Sequence, residues 1–260
     1  MSKAVAKKQS TFLEDFSEAD FASATHAQDL SAQDILIPKL LVMQPQSPQV
    51  ISGDCELGDV VDTATWTALA KAARGKNPSK PLEFVPFDWS KYWIIKKQDG
   101  NRFKTEKLVR VNRTNQRDDP WDRWKGADGV LRERVYLHLF HVLVPGKPFP
   151  YVLGFKGASR KAGDMVVTQM FTINPSLEGE AWKKSQFASV MKITPKVISK
   201  ADSTFVVLEA KTSRSSTYSE ACEALSWYKK VSAGEAKVDL SGIDDDGVER
   251  YKVNKPTGDF

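Results

Sequence analysis

The chain has 260 residues, of which 41% are hydrophobic and 27% charged, with a formal net charge of +5 at pH 7. This composition supports a hydrophobic core and excludes a chain that is too polar to fold. The apolar stretches are too short for a transmembrane helix, which needs about 20 apolar residues in succession. Two cysteines are too few for a disulfide framework, and the first lysines are followed by acidic residues instead of the apolar run of a secretory signal. We therefore expect a globular protein of the cytoplasm.

Charge divides the chain into three parts. Residues 1–34 carry 3 basic and 6 acidic groups, and residues 235–260 carry 4 basic and 7 acidic groups. The part between them, 35–234, carries 31 basic and 20 acidic groups. A basic body between acidic ends is typical of polyanion-binding proteins, although a lysine-rich solvated surface gives the same counts. We predict a flexible acidic arm over 1–34, one folded domain over 35–234 and an acidic tail over 235–260.

Hydrophobic patterning predicts the elements in chain order. The fold is expected to begin at Ile35, where the apolar density rises. Runs of aromatic and β-branched residues predict strands, and two pairs of these runs predict β-hairpins. A helical turn is predicted over 66–74, a helix after Ser159 as its N-cap, and an amphipathic helix from Tyr218 to Lys230. The predicted strands are 59–62, 82–87, 92–95, 135–144, 151–155, 193–199 and 204–210.

The order of these elements indicates a fold class. Many short strands with a few helices, and no alternation of strand and helix, favour a β-rich α+β domain over a doubly wound sheet. Among small β-rich folds that bind single strands, the five-stranded OB barrel is the natural candidate. We predict an OB-like barrel with added helices.

The strongest functional signal lies between Lys71 and Arg117. This stretch holds thirteen Lys or Arg residues against four Asp or Glu, and aromatic residues are interleaved with them. Cations neutralise phosphates while flat rings stack on unpaired bases, so the combination is typical of single-stranded nucleic-acid binding. Large aromatics also fill cores, and Trp93, between Tyr92 and Ile94, is open to that interpretation.

A polar stretch follows this basic segment and contains two further tryptophans. Charged residues surround Trp121 and Trp124 on every side, so at least one of them is expected to be solvent-accessible. Arg160 and Lys161 lie near a predicted helix start, a position that can hold a phosphate. The predicted DNA-binding residues are Trp89, Tyr92, Trp93, Lys96, Lys97, Arg102, Phe103, Lys104, Arg110, Arg113, Trp121, Trp124, Arg160 and Lys161.

Catalytic and metal-binding patterns are weaker. His138 and His141 are three residues apart on a predicted strand, so they face opposite sides and cannot chelate one ion. Glu209 and Lys211 resemble the ExK half of a PD-(D/E)xK nuclease motif, but neither Asp164 nor Asp202 is a convincing acidic partner. No phosphate-binding loop signature is present. We predict neither a metal nor a cofactor, and a binding protein instead of an enzyme.

Several segments together resemble a family of phage-encoded proteins. The segment from Ile37 to Gln44, the hairpin end Val152–Gly157 and the helix from Tyr218 to Lys230 are similar to parts of phage replication proteins. The segments Ser47–Pro48 and Gly58–Asp59 and the Ser-Arg-Lys helix start add to this resemblance, which covers about residues 35–232. It indicates the phage single-stranded-DNA-binding proteins that act in replication or recombination.

The resemblance implies further features at the carboxyl terminus. Such proteins use OB-type barrels and often end in an acidic tail with an aromatic tip, as Asp244–Asp246 and Gly258–Phe260 do in this chain. Asp259 and Phe260 are thereby implied to bind replication or recombination partners, and the tail to compete with DNA. Arg250, Lys252 and Lys255 reduce the net negative charge of the tail. This argues against competition of the tail with DNA more than against its binding of protein partners.

The expected ligand is therefore single-stranded DNA, bound without sequence specificity. Two other functions are compatible with the sequence. One is a metal-dependent nuclease that uses Glu209 and Lys211. The other is a phage structural or host-interaction protein that binds no nucleic acid. The sequence does not specify an oligomeric state.

Overall fold

The computed structural model describes residues 36–100, 102–117, 119, 121–172, 183, 185–200 and 203–236. The predicted arm over 1–34, Asp202 and the predicted partner-binding residues Asp259 and Phe260 lie outside these ranges. The strands are β1 (Lys39–Val42), β2 (Val60–Asp62), β3 (Ala68–Ala70), β4 (Leu82–Asp99), β5 (Arg102–Arg110), β6 (Trp121–Lys125), β7 (Leu131–Leu143), β8 (Pro150–Lys156), β9 (Ser189–Lys200) and β10 (Ser203–Ser215). The α-helices are α1 (Pro48–Ile51), α2 (Arg160–Phe171) and α3 (Tyr218–Ser232), and a 3-10 turn covers Gly157–Ser159.

The ten strands form one mixed sheet that curls into a half-barrel. Its order is β10-β9-β4-β7-β8-β1-β2-β3, with β5 also paired to β4 and β6 to β7. β1 and β8 run parallel, and the other pairs are antiparallel. The predicted β-rich α+β class is therefore confirmed. The five-stranded OB barrel is not confirmed and stays a prediction.

Both predicted hairpins are confirmed. β7 and β8 pair from Leu137↔Lys156 to Leu143↔Pro150. Pro145 and Gly146 form the turn between them, in which the Lys147 amide donates to the Val144 carbonyl and Gly146 has a φ of 76°. Proline before a glycine with positive φ is the pattern of a type II turn, so the local sequence dictates this connection. The second hairpin consists of β9 and β10, paired from Ser203↔Lys200 to Ser215↔Ser189.

β4 joins two stretches that the sequence predicts as separate strands. It runs without interruption for 18 residues and pairs with β9 at one end, β5 at the other and β7 along most of its length. Pro86 lies inside it, opposite Val142 of β7 and next to a β-bulge. The position is tolerated because the β9 pairing ends at Phe84 and the β5 pairing begins at Tyr92, which leaves that edge of β4 unpaired at Pro86.

The helices cover opposite faces of the sheet. Neighbouring residues of β7 point to opposite sides, so Val142 packs with the α2 residue Val166 whereas Leu143 packs with the α3 residue Ala224. Ala236, which the sequence assigns to the tail, is buried in a third cluster on the α3 side. β5 pairs with the C-terminal part of β4 and β6 with the N-terminal part of β7, and Leu108 of β5 packs in the same cluster as Val231 of α3.

Local chemistry explains where the two longer helices begin. At the N-cap of α3, the Thr217 hydroxyl accepts from the Glu220 amide and the Glu220 carboxylate accepts from the Thr217 amide, which forms a capping box. Ser159 precedes α2 as predicted but makes no capping hydrogen bond, because its hydroxyl accepts from the Leu208 amide of β10. The helical turn predicted over 66–74 is wrong, since this segment contains β3.

Candidate nucleic-acid interface

The basic and aromatic residues of the sequence lie mainly on a four-stranded antiparallel segment, ordered β5-β4-β7-β6. Residues directly opposite each other in this segment share a face. Trp121 is opposite Val135, whereas Trp124 is opposite Arg132. Because Trp121 and Trp124 are three residues apart on one strand, their side chains lie on opposite faces of the sheet. We name these the Trp121 face and the Trp124 face.

The Trp121 face holds an arginine between two aromatic rings. The Arg123 guanidinium carbon lies 5.0 Å from the Trp121 ring centroid and 4.9 Å from that of Phe103. Trp121 belongs to β6 and Phe103 to β5, which are the two edges of the four-stranded segment. Arg123 reaches Phe103 across two intervening strands, which indicates that the segment is concave on this face.

A buried carboxylate fixes that arginine. Glu133 lies under Arg123 with 8% of its surface exposed, and its Oε2 accepts hydrogen bonds of 3.1 Å from both Nε and Nη2 of Arg123. Two donors on one carboxylate oxygen hold the guanidinium in a defined orientation. The charge of Arg123 is thereby compensated, while its flat surface stays between the rings of Trp121 and Phe103.

Further cations surround this cluster. Lys96 is opposite Glu133 in the neighbouring strand, and Lys125 follows Arg123 on the same face. Neither has an ion-pair partner among the described residues. Arg110 occupies the same face at the other end of the pairing, where its Nη2 lies 3.4 Å from the Ser90 hydroxyl. Trp121 itself is 51% exposed, which confirms the expectation that one of the two tryptophans is accessible.

The Trp124 face differs because its cations are paired with acids. Arg134 bonds to Asp122, and its guanidinium covers the Trp124 ring at 4.9 Å. Arg132 bonds to Glu106 at 2.9 Å and to Asp128 at 2.7 Å. These hydrogen bonds hold the pKa of Asp128 well below its usual value and raise that of the Arg132 guanidinium.

Two predicted phosphate contacts belong to this paired network. Lys97 lies 3.4 Å from Asp128, and Lys104 lies 2.9 Å from Asp99. Their charge is already compensated within the protein, so each has less to gain from a phosphate than a cation without an acidic partner. Arg102 is opposite Asp99 at the same end of the segment. The Trp124 face therefore offers less free positive charge than the Trp121 face.

Trp93 is a core residue, which corrects its prediction as a DNA contact. It is 2% exposed and stacks on Tyr136 at 3.7 Å between ring centroids. Its Nε1 donates to the Asn115 carbonyl, and the Tyr136 hydroxyl both donates to and accepts from the backbone of Arg117. The two rings therefore hold the connection between β5 and β6 against the sheet. Arg113, another predicted contact, lies exposed in that connection.

Trp89 is likewise engaged within the protein. Its Nε1 donates to Nδ1 of His138 at 3.2 Å, and Phe171 of α2 meets its ring edge-on. Nε2 of His138 lies 3.0 Å from Asp164, so the histidine links the sheet to α2. Burial lowers the pKa of His138. Trp89 thus links the sheet to α2 and is half-buried, and its role as a stacking residue stays a prediction.

The remaining predicted contacts divide between the helix start and the sheet. Arg160 pairs with Asp164 at 2.9 Å, and Lys161 is exposed beside it at the start of α2, which covers the side of the sheet opposite the Trp121 face. Tyr92 lies on the Trp121 face but is half-buried against the third cluster. Of the predicted contacts, the Trp121 face thus holds Trp121, Phe103, Lys96, Arg110 and Tyr92, and this face is the candidate interface.

Two residues of the Trp121 face, Arg123 and Lys125, were not predicted. The signal was present, because they follow Trp121 at spacings of two and four in a strand and therefore share its face. No strand is predicted for this polar stretch, and without a strand the alternation of side chains has no meaning.

The residues considered for metal chemistry are used otherwise. His138 contacts Trp89 and Asp164. His141 lies on the opposite face of β7, as predicted, with its Nδ1 2.8 Å from Asp88. Glu209 forms an ion pair of 2.6 Å with Lys196. In the described part of the chain, no three His, Cys, Asp or Glu residues are grouped so as to hold a metal ion.

Comparisons with known proteins identify a family. None of the described helices has the length and apolarity that a membrane span requires. No curated protein and no solved structure matches the chain. The family model of the Pam3 phage gp34-like protein matches residues 6–237, and the chain therefore belongs to this phage protein family.

Proposed function

We propose that this protein binds single-stranded DNA without sequence specificity and coats exposed strands in phage replication or recombination. Membership of a phage family confirms the phage part of the resemblance. The observation that carries the proposal is the Trp121 face, where Arg123 is held between two aromatic rings inside a concave, cationic surface. The proposed activity is binding, and no reaction is part of it.

The chemistry of this face fits an unpaired base. The exposed side of Trp121 offers a flat surface, and base stacking on such a ring contributes about 1–3 kcal/mol per base without regard to sequence. Lys96 and Lys125 lie next to the aromatic cluster, and Arg110 lies further along the same face, so all three are available to neutralise phosphates of a strand bound there. A duplex hides its base faces, so this arrangement favours a single strand.

The OB-type barrel remains part of the proposal. The curl of the sheet supports a barrel-like domain, and OB barrels bind single strands on a curved sheet surface. A partner-binding role of Asp259 and Phe260 also remains a proposal.

The two tryptophans on opposite faces allow a matched test. We expect Trp121→Ala to weaken binding of a labelled oligothymidine by about 5- to 100-fold, the equivalent of one lost stacking contact. Trp124→Ala removes the same side chain from the other face and is expected to leave the affinity within about twofold of wild type, given that its ring is covered by Arg134. Fluorescence anisotropy at two salt concentrations measures both affinities, and thermal unfolding shows that each variant is folded.

Four results would contradict the proposal. Equal losses in the two variants would remove the Trp121 face from the site. Equal affinity for a duplex of the same length would exclude the preference for single strands. Cleavage of the oligonucleotide when Mg²⁺ or Mn²⁺ is added, abolished by Glu209→Ala, would establish the nuclease. If wild type neither binds nor cleaves, the protein-interaction function remains.

A further inference from the structure

A second cationic surface lies on the β9–β10 hairpin, far from the Trp121 face. Side chains alternate along β9, so Lys192, Lys196 and Lys200 point to one side at every second outward position. Lys211 of β10 is opposite Lys192 and joins the same side. The lysines of β9 are about 13 Å apart along the strand. We name these four lysines the hairpin surface.

The pairing of Lys192 with Lys211 is unfavourable in the protein alone. Like charges directly opposite each other on neighbouring strands lower the stability of a sheet. Glu83 of β4 is opposite Lys192 on its other side, but its carboxylate is bonded to Ser213 and lies 3.6 Å from Arg214. Two adjacent lysines are thus left with little compensation, which a bound polyanion would supply.

The other groups on this side are consistent with a nucleic-acid backbone. Lys196 is paired with Glu209 of β10. Phe205 is half-buried, and Lys200 lies over its ring at 5.8 Å from the centroid. Lys192, Lys200 and Lys211 have no ion-pair partner among the described residues. The surface therefore combines three available cations with an aromatic ring.

The hairpin surface and the Trp121 face are on the same side of the sheet. Glu83 and Val85 share a face, Val85 is opposite Leu143, and alternation along β7 places Leu143 on the face of Glu133. Along β4, Lys96 is 13 residues from Glu83, which corresponds to about 43 Å. At about 3.4 Å per phosphate this distance equals about 12 nucleotides, and fewer in a more extended strand.

We propose that the hairpin surface is a second contact for the phosphate backbone of the same single strand, engaged only when the strand is long enough to reach it. This inference rests on the proposed function of the Trp121 face. Because α3 packs on Val85 and Leu143 between the two surfaces, the strand has to pass beside or over α3, so its path is longer than the direct distance along β4. The inference predicts an affinity that increases with oligonucleotide length.

The test compares two oligothymidines, one of about 6 nucleotides and one of about 25, the longer of which exceeds the distance between the surfaces. The hairpin variant carries Lys192→Gln, Lys200→Gln and Lys211→Gln. We expect it to bind the short strand as wild type does and the long strand at least about tenfold more weakly. The slope of log K against log salt for the long strand is expected to decrease by about 2, since about 0.7 is lost per phosphate contact.

A control variant carries Lys76→Gln, Lys80→Gln and Lys147→Gln and has the same net charge as the hairpin variant. The three replaced lysines lie outside both surfaces. It is expected to bind both strands as wild type does. Equal losses in the hairpin and control variants would overturn the inference, as would equal losses on the short and long strands. If wild type binds neither strand, the proposed function itself fails, whereas the results above reject the hairpin surface alone.

Discussion

The side-chain amide of Gln44 pairs with both backbone polar groups of Val206, 162 residues further along the chain. Its Oε1 accepts from the Val206 amide at 2.9 Å, and its Nε2 donates to the Val206 carbonyl at 3.1 Å. Gln44 follows β1, and Val206 lies on the outer edge of β10. A nearby edge amide, that of Leu208, donates to the Ser159 hydroxyl. Side chains thus satisfy an edge strand that would otherwise present unpaired groups.

We expect Gln44→Ala to lower the free energy of unfolding by about 1–3 kcal/mol, because two partly buried backbone groups lose their partner. Gln46→Ala is the matched control, since Gln46 is exposed and makes no such contact in the described residues. Its effect should stay within about 0.5 kcal/mol. Urea unfolding at neutral pH measures the stability of both variants. Similar midpoints for the two would show that the hydrogen bonds between Gln44 and Val206 contribute nothing to stability.

The Gln44 contact also shows the limit of sequence-based prediction. Periodicity and turn chemistry are local, so the β7–β8 hairpin and α3 could be predicted from adjacent residues. Pairing between distant segments has no signature in the local sequence. Neither the Gln44–Val206 hydrogen bonds nor the contact of Arg123 with Phe103 could therefore be predicted from the sequence. Composition indicates the basic and aromatic region as the candidate interface. Assigning Trp121 and Trp124 to opposite faces depends on knowing that their segment is a strand. Recognising that Trp93 is buried depends on knowing the fold.

Gly163 lies inside α2 and is buried against the sheet. Glycine is a poor helix former, and Ala at the same position is favoured by about 1 kcal/mol in an open helix. In α2, however, a Cβ at Gly163 would lie 3.0 Å from the Cβ of Phe155 and 3.1 Å from that of His138. Both atoms are fixed on strands of the sheet and cannot yield easily.

Gly163→Ala is therefore expected to destabilise the protein, with an overpacking cost of about 1–3 kcal/mol that exceeds the gain in helix propensity. Thr168→Ala, at an exposed position of the same helix, should be neutral or slightly stabilising. Thermal unfolding of the two variants decides the sign. A stabilised Gly163→Ala protein would mean that α2 can move away from the sheet at no cost.

The N-terminus of α3 confers a pH dependence. Hydrogen bonds from Arg214 lower the pKa of Glu220 to about 2, compared with an ordinary value of 4.5. A carboxyl group with a lowered pKa in the folded state stabilises the fold above its unfolded pKa, and that contribution is lost as the pH falls. Stability should therefore decline between about pH 4.5 and pH 2 in wild type, and less steeply in Glu220→Gln.

Urea unfolding at several pH values in that range measures the decline. Glu223→Gln is the control, because Glu223 is an exposed acid on the same helix with no ion pair among the described residues. It should retain the pH dependence of wild type. Parallel profiles for wild type and Glu220→Gln would show that the capping box and the Arg214 pair do not account for it.

Replacing Trp93 distinguishes a ring that supports the candidate site from the Trp121 ring, which is proposed to contact DNA. Trp93→Phe keeps an aromatic ring against Tyr136 but removes the Nε1 donor to the Asn115 carbonyl. We expect it to lower the free energy of unfolding by about 1–3 kcal/mol through the unpaired group. The affinity for oligothymidine should change less than about twofold, far below the loss expected for Trp121→Ala. An affinity loss as large as that of Trp121→Ala, in a variant with wild-type stability, would instead place Trp93 in contact with the strand and require the β5–β6 connection to open.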